Sequence, residues 1–289
     1  AEVDGALPGL VAAVLDGSYT GPSYVSELVS SQLDVDRMDY LLRDALYSGV
    51  TYGQFDLHRV INTLQLVGER VVVQAKGLVA IEEYVLARYL MYWQVYFHKA
   101  TRSQELLLQA AWRRASSLWQ KGRLGADAVA PALRSFLQAE SVTLQSYVAL
   151  DDYDLLASLK AWRRHSDPVL ADLAGRFLDR RLLKLVFKEA HEDATGVDVD
   201  LVKELVGHRG WDPEYYVLVD HTGNVVYDTY HVEDSPQGSP ILGLGEGGCP
   251  VEISQLSAVV QAMARRPRQA VSIYVPQEVL EEVRRLLSQ

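Results

Sequence analysis

The stretch DVDRMDYLLRD, residues 34–44, predicts a helix whose two ends are encoded in the sequence. Asp34 is a residue type that favours the N-cap position, and Gly49 stands where a left-handed residue commonly ends a helix. Apolar side chains recur on one side of the predicted helix, which covers about residues 35–47. They are Leu33, Met38, Leu41, Leu42 and Ala45. The stretch therefore predicts an amphipathic helix that packs against a core.

Polar residues that could bind a ligand or a metal lie together on the same predicted helix. Asp36, Tyr40 and Asp44 are spaced four residues apart and share one face, with Arg37 beside them. This set offers an oxygen ligand for a metal, a phenol for a sugar and a cation for phosphate. An acid-rich helix start that complements the helix dipole at the surface explains the same residues. The pattern by itself favours that surface helix.

A second polar and aromatic stripe falls in a long helical segment. Residues 77–120 contain no proline and predict one long helix, or two nearly collinear helices. Arg88, Tyr92, Tyr96 and Lys99 occupy one face of it. Cations beside aromatic rings suit the phosphates and base of a nucleotide. Core packing, with half-buried tyrosines and basic side chains that reach solvent, is the alternative that the pattern alone favours.

The order of predicted elements indicates a mainly α protein with two domains. Residues 1–179 predict helices, including one from Asp56 through Leu66, and only one strand. Residues 180–289 predict the order βαββαβ followed by a helix, which suggests a smaller α+β, possibly ferredoxin-like, lobe. In that lobe, residues 225–230 predict a hairpin strand, and the Gly- and Pro-rich residues 235–250 predict a loop.

Composition argues against several classes of protein and indicates the cellular compartment. Nearly half of the 289 residues are apolar, so the chain can bury a sizeable core. The net charge of −10 argues against broad binding to nucleic acids or anionic membranes. Apolar runs are far shorter than the about 20 residues of a membrane span, and residues 1–8 show no leader-like block. With Cys249 as the single cysteine, no intramolecular disulfide is possible, and we expect a cytoplasmic protein.

Three stretches together resemble a known family. They are SSQLDVDRMDYLLRD at 30–44, YSGVTYGQFDLHRVI at 47–61 and LARYLMYWQVYFHK at 86–99. They resemble HD-superfamily phosphohydrolases of the dNTP triphosphohydrolase branch, a group that includes bacterial dNTP triphosphohydrolases and the mammalian enzyme that restricts retroviruses. The resemblance is specific over about residues 25–102 and general in architecture elsewhere. It implies a mostly helical core.

The resemblance implies roles for both stripes. Asp36 matches the late aspartate that completes a divalent-metal site in the family. The substrate-binding positions of the family match Arg37, Tyr40, Asp44, Arg88 and Tyr96. Arg37 and Arg88 are then expected to contact phosphates, and Tyr40 and Tyr96 to shape the sugar pocket. The identity of the metal stays open.

The mammalian relative also binds nucleotide effectors at subunit interfaces. The positions that match those contacts are Asp56, Arg59, Lys76, His98 and Lys99. Ala80 and Gln94 depart from the pattern, because the relative has an amide and an arginine there. The resemblance implies a homo-oligomer and a possible nucleotide effector.

One block of the family pattern is absent from the sequence. The chain has no His-Asp dipeptide, and none of its seven histidines precedes Asp36, whereas the family's metal-binding histidines all do. We expect that block to lie upstream of Ala1. Since a single carboxylate cannot hold a catalytic metal, we expect these 289 residues alone to be inactive.

The leading functional hypothesis is hydrolysis of a dNTP to deoxynucleoside and triphosphate by the intact protein. A second hypothesis keeps the HD-type chemistry but changes the substrate to another phosphate ester. A third, from a different class, is a non-catalytic module that senses nucleotides and oligomerises. The sequence leaves the base preference, the effector and the oligomeric state open.

Overall fold

The computed structural model describes residues 5–137, 142–189, 198–224, 240–264 and 268–287. Over these residues the chain is mainly helical and has a small sheet-containing lobe, which confirms the predicted fold class. None of the helices described combines the length and apolar character needed to cross a bilayer.

Helices account for most of the described chain. They are α1 Leu7–Asp16, α2 Ser23–Val29, α3 Val35–Ser48, α4 Leu57–Thr63, α5 Leu78–Met91, α6 Lys99–Gln120, α7 Pro131–Leu137, α8 Leu144–Val148, α9 Asp152–Trp162, α10 Pro168–Leu178, α11 Val199–His208, α12 Pro213–Tyr216, α13 Ala258–Ala264 and α14 Leu280–Leu287. The strands are β1 Leu64–Val67, β2 Arg70–Val73, β3 Lys184–Glu189, β4 Leu218–Asn224, β5 Leu242–Leu244, β6 Pro250–Glu252 and β7 Arg268–Val275.

The chain divides into two compact units, each built from two segments. The first unit comprises residues 1–96 and 223–268, and the second comprises residues 97–222 and 269–289. The boundary at residue 179 that the sequence suggested is not a boundary of either unit. Strands from the predicted C-terminal lobe return to the first unit, and sequence order alone does not reveal such long-range pairing.

The first unit combines the early helices with a four-stranded sheet in the order β1-β2-β5-β6. Strands β1 and β2 form an antiparallel hairpin that turns at Gly68, whose φ is +62°. Strand β5 pairs in parallel with β2, with Val72 opposite Leu242. The predicted loop over 235–250 is therefore wrong for β5 and for the antiparallel strand β6. The helix predicted from Asp56 is confirmed over Leu57–Thr63, but its predicted end at Leu66 is wrong, because Leu64–Val67 form β1.

The second unit contains α6 to α12, α14 and a three-stranded sheet in the order β3-β7-β4. Strand β7, the last along the chain, lies between the other two and runs antiparallel to β3. Of the described strands of the predicted lobe, β3, β4 and β7 therefore share one sheet, whereas β5 and β6 belong to the sheet of the first unit. The strand predicted over 225–230 lies outside the described residues.

The long helix predicted over 77–120 is interrupted in its middle. Helix α5 ends at Met91 and continues as a π-helical turn over Tyr92–Tyr96. His98 then has extended backbone, and its Nδ1 accepts a hydrogen bond from the Ala100 amide at 3.3 Å, which caps α6. The segment therefore contains two helices and not one continuous helix. A π-helical turn inside a helix is often found at functional sites.

A buried arginine organises part of the second unit. Arg176 is 2% exposed and forms ion pairs with Asp172 at 2.6 Å and Glu278 at 2.7 Å. Its guanidinium also lies 4.9 Å from the ring centroid of Trp211. The Tyr216 hydroxyl donates to Asp172 at 2.8 Å, which completes the surroundings of this carboxylate. The charge of Arg176 is thus fully matched by its neighbours, as a buried cation requires.

Gly53 lies where the loop after α3 meets two helices of the first unit. A methyl group added at this glycine would fall 2.6 Å from the Leu41 carbonyl oxygen and 3.1 Å from Met91 Cγ. Because the nearest atom belongs to the backbone, it cannot rotate away. The close approach of loop and helix therefore depends on the absence of a side chain.

We predict that Gly53→Ala lowers the free energy of unfolding by about 1–3 kcal/mol, because the new methyl group overpacks this contact. Urea unfolding followed by circular dichroism measures the change. Gly9→Ala is the matched control, since Gly9 lies exposed in α1 with no atom within 4 Å of an added methyl group. Equal unfolding midpoints for the two variants would contradict the prediction.

Candidate functional site

The start of α3 is fixed by a buried carboxylate. Asp34 is 4% exposed, and its Oδ1 accepts a hydrogen bond from the Arg37 amide at 2.7 Å, as an N-cap residue does. Its Oδ2 accepts from the Ser31 amide at 3.1 Å and forms an ion pair with the Arg37 guanidinium. The predicted cap is therefore confirmed. It also anchors the side chain of Arg37 at the beginning of the helix.

The structure brings the two predicted stripes together within the first unit. The Tyr96 hydroxyl donates a hydrogen bond to Asp44 Oδ2 at 2.6 Å. The ring of Tyr96 lies 6.4 Å from that of Tyr40 and 5.1 Å from that of Tyr92, in edge-to-face arrangements. Three phenols and one carboxylate therefore form a continuous cluster between α3 and the π-helical turn.

Arg88 adds a buried cation to this cluster. It is 8% exposed, and its Nε is buried without a hydrogen-bond partner. Its Cζ lies 5.8 Å from the ring centroid of Tyr92. Burial of a charged group with an unsatisfied donor is unfavourable, and such groups in native proteins call for a functional explanation. The orphaned donor is one that an anion could satisfy.

Two phenols of the cluster, Tyr40 and Tyr96, have pKa values above the ordinary value of a tyrosine. Burial holds the pKa of Tyr40 well above its ordinary value, and the charge and hydrogen bond of Tyr92 raise it further. Burial also raises the pKa of Tyr96, and the hydrogen bond to Asp44 adds to the effect. Arg88 and Arg37 lower the pKa of Tyr40, but by less than burial raises it. These side chains can therefore act as hydrogen-bond donors and as packing surfaces, but not as bases.

Asp36 lies one helical turn before Tyr40 on α3. It is exposed on the first turn of α3, where it complements the helix dipole. Over the described parts of the chain, no three His, Cys, Asp or Glu side chains are grouped so that they could hold a metal ion. One carboxylate does not satisfy the coordination of a divalent cation. The described residues therefore do not form a metal site by themselves.

The five residues matched to effector contacts fall in both units. In the first unit, Asp56 caps α4 by accepting from the Arg59 amide at 2.8 Å. The Arg59 side chain donates to the Lys76 carbonyl at 2.9 Å. In the second unit, His98 and Lys99 are exposed at the start of α6. The structure thus joins three of the five in one local network.

Lys99 also lines a cleft of about 470 Å³ in the second unit. Two other cationic residues, Lys184 and Arg284, line the same cleft, and its walls are largely leucine. Among the described residues that line it none is acidic, although Arg284 also pairs with Glu281 at 2.9 Å. This cleft is a cationic recess that sequence reasoning did not anticipate, because its residues come from three distant parts of the chain.

Tyr84 is a member of the site region that sequence reasoning missed. It is fully buried, and its hydroxyl donates to the Gln32 carbonyl at 2.8 Å, just before the cap of α3. Tyr84 precedes Arg88 by four residues, so the stripe Arg88, Tyr92 and Tyr96 extends one turn earlier. Extending that spacing backwards would have found it.

The family model described as the HD associated region matches residues 55–130 of this chain. An uncharacterized protein of Bacillus subtilis, YwfO, is 35% identical over 279 residues, which are 96% of this chain and 63% of that protein. An uncharacterized protein of Mycoplasma genitalium, MG461, is 28% identical over 225 residues, which are 73% of this chain and 52% of that protein. The chain therefore spans only about half to two thirds of these relatives.

Two solved structures share the architecture. The phosphohydrolase BT4208 of Bacteroides thetaiotaomicron is 28% identical with a TM-score of 0.79, covering 93% of this chain and 67% of that one. A hypothetical protein of Aquifex aeolicus is 23% identical with a TM-score of 0.71, covering 98% of this chain and 65% of that one. The second likeness shows the fold alone. With the family match, the first supports an HD-type phosphohydrolase fold.

We predict that Arg88→Met leaves the free energy of unfolding unchanged or raises it by about 1 kcal/mol without ligand, since it removes a buried charge with an orphaned donor. Arg176→Met is the matched comparison and should lose about 2 kcal/mol, because it removes charge-assisted hydrogen bonds to Asp172 and to the more exposed Glu278. Thermal and urea unfolding measure both. Equal destabilisation of the two variants would show that Arg88 is as well satisfied as Arg176.

Proposed function

We propose that the full-length protein is an HD-type phosphohydrolase that converts a dNTP to deoxynucleoside and triphosphate, with the phosphates bound at Arg88. The observation that carries this proposal is the buried guanidinium of Arg88, which has an orphaned Nε and lies beside a cluster of neutral phenols. The likeness to a protein named a phosphohydrolase supports the hydrolase class. The dNTP substrate and the cleaved bond are part of the proposal.

The electrostatics of the cluster suit a polyphosphate. A planar guanidinium donates in a fork that matches phosphate oxygens, and the attraction is stronger where water is excluded. Arg37, which is held at the start of α3, is a second cation on the helix that carries Tyr40 and Asp44. The carboxylate of Asp44 does not offset the charge of a phosphate, but it accepts a hydrogen bond from the Tyr96 hydroxyl.

The phenols suit the sugar end of a nucleotide. Tyr40 and Tyr96 present aromatic rings on which a deoxyribose can pack, and their neutral hydroxyls can only donate or accept hydrogen bonds. In the proposed complex these rings leave no room for a 2′-hydroxyl, which selects deoxynucleotides. Water adds to the α-phosphorus, the bond to the 5′-oxygen breaks, and that oxygen takes a proton.

A divalent metal is part of the proposal only through Asp36. The resemblance to the family assigns this carboxylate as one metal ligand, and its exposed position on α3 leaves it free to bind one. Because no three His, Cys, Asp or Glu side chains are grouped among the described residues, Asp36 would need metal ligands from outside them. A general base would also have to be another group, because the raised pKa values of Tyr40 and Tyr96 disfavour these phenols as bases.

A second candidate function is nucleotide sensing without hydrolysis, coupled to assembly of homo-oligomers. The cationic cleft formed by Lys99, Lys184 and Arg284 favours it, because its charge and its volume of about 470 Å³ suit a phosphate-bearing ligand. Nucleotide-dependent assembly with no turnover by the full-length protein would support this function over hydrolysis. Turnover of other phosphate esters in a substrate panel, but not of dNTPs, would instead support a different phosphohydrolase.

We predict that the full-length protein releases triphosphate from dNTPs and that Arg88→Met lowers kcat/KM by about a hundredfold, as loss of a charge-stabilising donor does. Release of triphosphate measured by chromatography gives the rates. Arg43→Gln is the control, since Arg43 is an exposed cation on α3 that pairs with Asp39 at 2.9 Å. Equal rates for the two variants would argue against phosphate binding at Arg88.

We predict that Asp36→Asn abolishes the metal-stimulated part of dNTP turnover in the full-length protein, because it removes one carboxylate ligand. Rates are measured across a titration of divalent cation after chelation. Asp39→Asn, an exposed acid on the same helix, should keep the metal response. An unchanged metal response in Asp36→Asn would remove this residue from the metal site.

A further inference from the structure

Tyr92 lies between Arg88 and Tyr96 and has no role in the function proposed above. It is the first residue of the π-helical turn that follows α5, and its side chain is half-buried. Its ring lies 5.8 Å from the guanidinium carbon of Arg88 and 5.1 Å from the ring of Tyr96. It therefore contacts both the cation and the phenol of the proposed site.

The contact with Arg88 bears on how that cation is held. A guanidinium over an aromatic ring is attracted by the ring's quadrupole, and the attraction grows when water is excluded. With Nε orphaned, no hydrogen bond fixes that edge of the Arg88 side chain. The ring of Tyr92 is thus a contact that can set the tilt of the guanidinium plane.

The ring of Tyr92 is itself held from the other side. Tyr96 meets it edge to face at an interplanar angle of 81°. Tyr96 is tied to α3 by its hydrogen bond to Asp44 at 2.6 Å. A chain of contacts therefore runs from the carboxylate on α3, through two phenols, to the buried cation on α5. Each link restricts the rotamer of the next.

We propose that Tyr92 is a positioning residue whose ring holds the Arg88 guanidinium in the orientation that binds phosphate. This inference rests on the proposed function, because it assumes that Arg88 binds an anion. The ring and the hydroxyl of Tyr92 have separate tasks. The ring faces Arg88, and the hydroxyl reaches Tyr40, whose pKa it helps to raise. Removal of the ring and removal of the hydroxyl should therefore have different consequences.

The test measures binding of inorganic triphosphate to the full-length protein by calorimetry, together with KM and kcat for a dNTP. Tyr92→Phe keeps the ring and should bind within about twofold of wild type. Tyr92→Leu removes the ring and should weaken triphosphate binding by about three- to tenfold, with the loss in KM more than in kcat. Tyr92→Met, a second non-aromatic variant, serves if the leucine variant does not fold. Tyr47→Leu is the control, because Tyr47 is exposed on α3.

The decisive comparison is with Arg88→Met. If Tyr92 acts through Arg88, Tyr92→Leu should have no further effect on triphosphate binding once Arg88 is Met, whereas an independent structural role would give additive losses. Additive losses, or binding by Tyr92→Leu equal to that of Tyr47→Leu while Arg88→Met fails to bind, overturn the inference and leave the proposed function intact. Failure of the wild-type protein both to bind triphosphate and to hydrolyse dNTPs overturns the two together.

Discussion

The hydrogen bond between Tyr96 and Asp44 is the contact on which the candidate site depends. It joins α3 to the π-helical turn, with 2.6 Å between the Tyr96 hydroxyl oxygen and Asp44 Oδ2. The packing beneath it is close, since Gly53 leaves no space for a methyl group between Leu41 and Met91. The close packing around Gly53 and the charge-assisted hydrogen bond between Tyr96 and Asp44 together hold the two stripes in contact. The phenols gain their fixed positions from this arrangement.

Once the two stripes meet, the burial of Arg88 follows, and it has a price in stability. A cation this enclosed normally has every donor matched, as Arg176 shows in the second unit with two carboxylates and an aromatic ring. Arg88 instead has a ring on one side and an orphaned Nε. The contrast within one chain is informative, because the same residue type is satisfied where it serves the fold and left unsatisfied beside the phenols.

Local features of the sequence predicted local structure well. Asp34 and Gly49 gave both ends of α3, and four-residue spacing gave the stripe Arg88, Tyr92 and Tyr96, because caps and helix faces depend on neighbours along the chain.

Long-range pairing was not predictable in this way. The parallel pairing of β5 with β2 joins segments that are far apart in sequence, and its glycines resemble those of a loop. The interruption of the long helix at the π-helical turn likewise had no sequence signal, since no proline or glycine marks it.

The chemistry of the described site separates binding from hydrolysis. Under the proposed function its cations attract a polyphosphate, while the raised pKa values of Tyr40 and Tyr96 disfavour these two phenols as bases. Asp44, the carboxylate within the cluster, already accepts a hydrogen bond from Tyr96, and Asp36 is exposed on the first turn of α3. The proposed role of the cluster is therefore to bind the polyphosphate. Its affinity should follow the electrostatics of Arg88 and its neighbours, whereas the rate of cleavage depends on groups outside this cluster. Affinity and turnover are for that reason independent measures of the site, and a change that affects one need not affect the other.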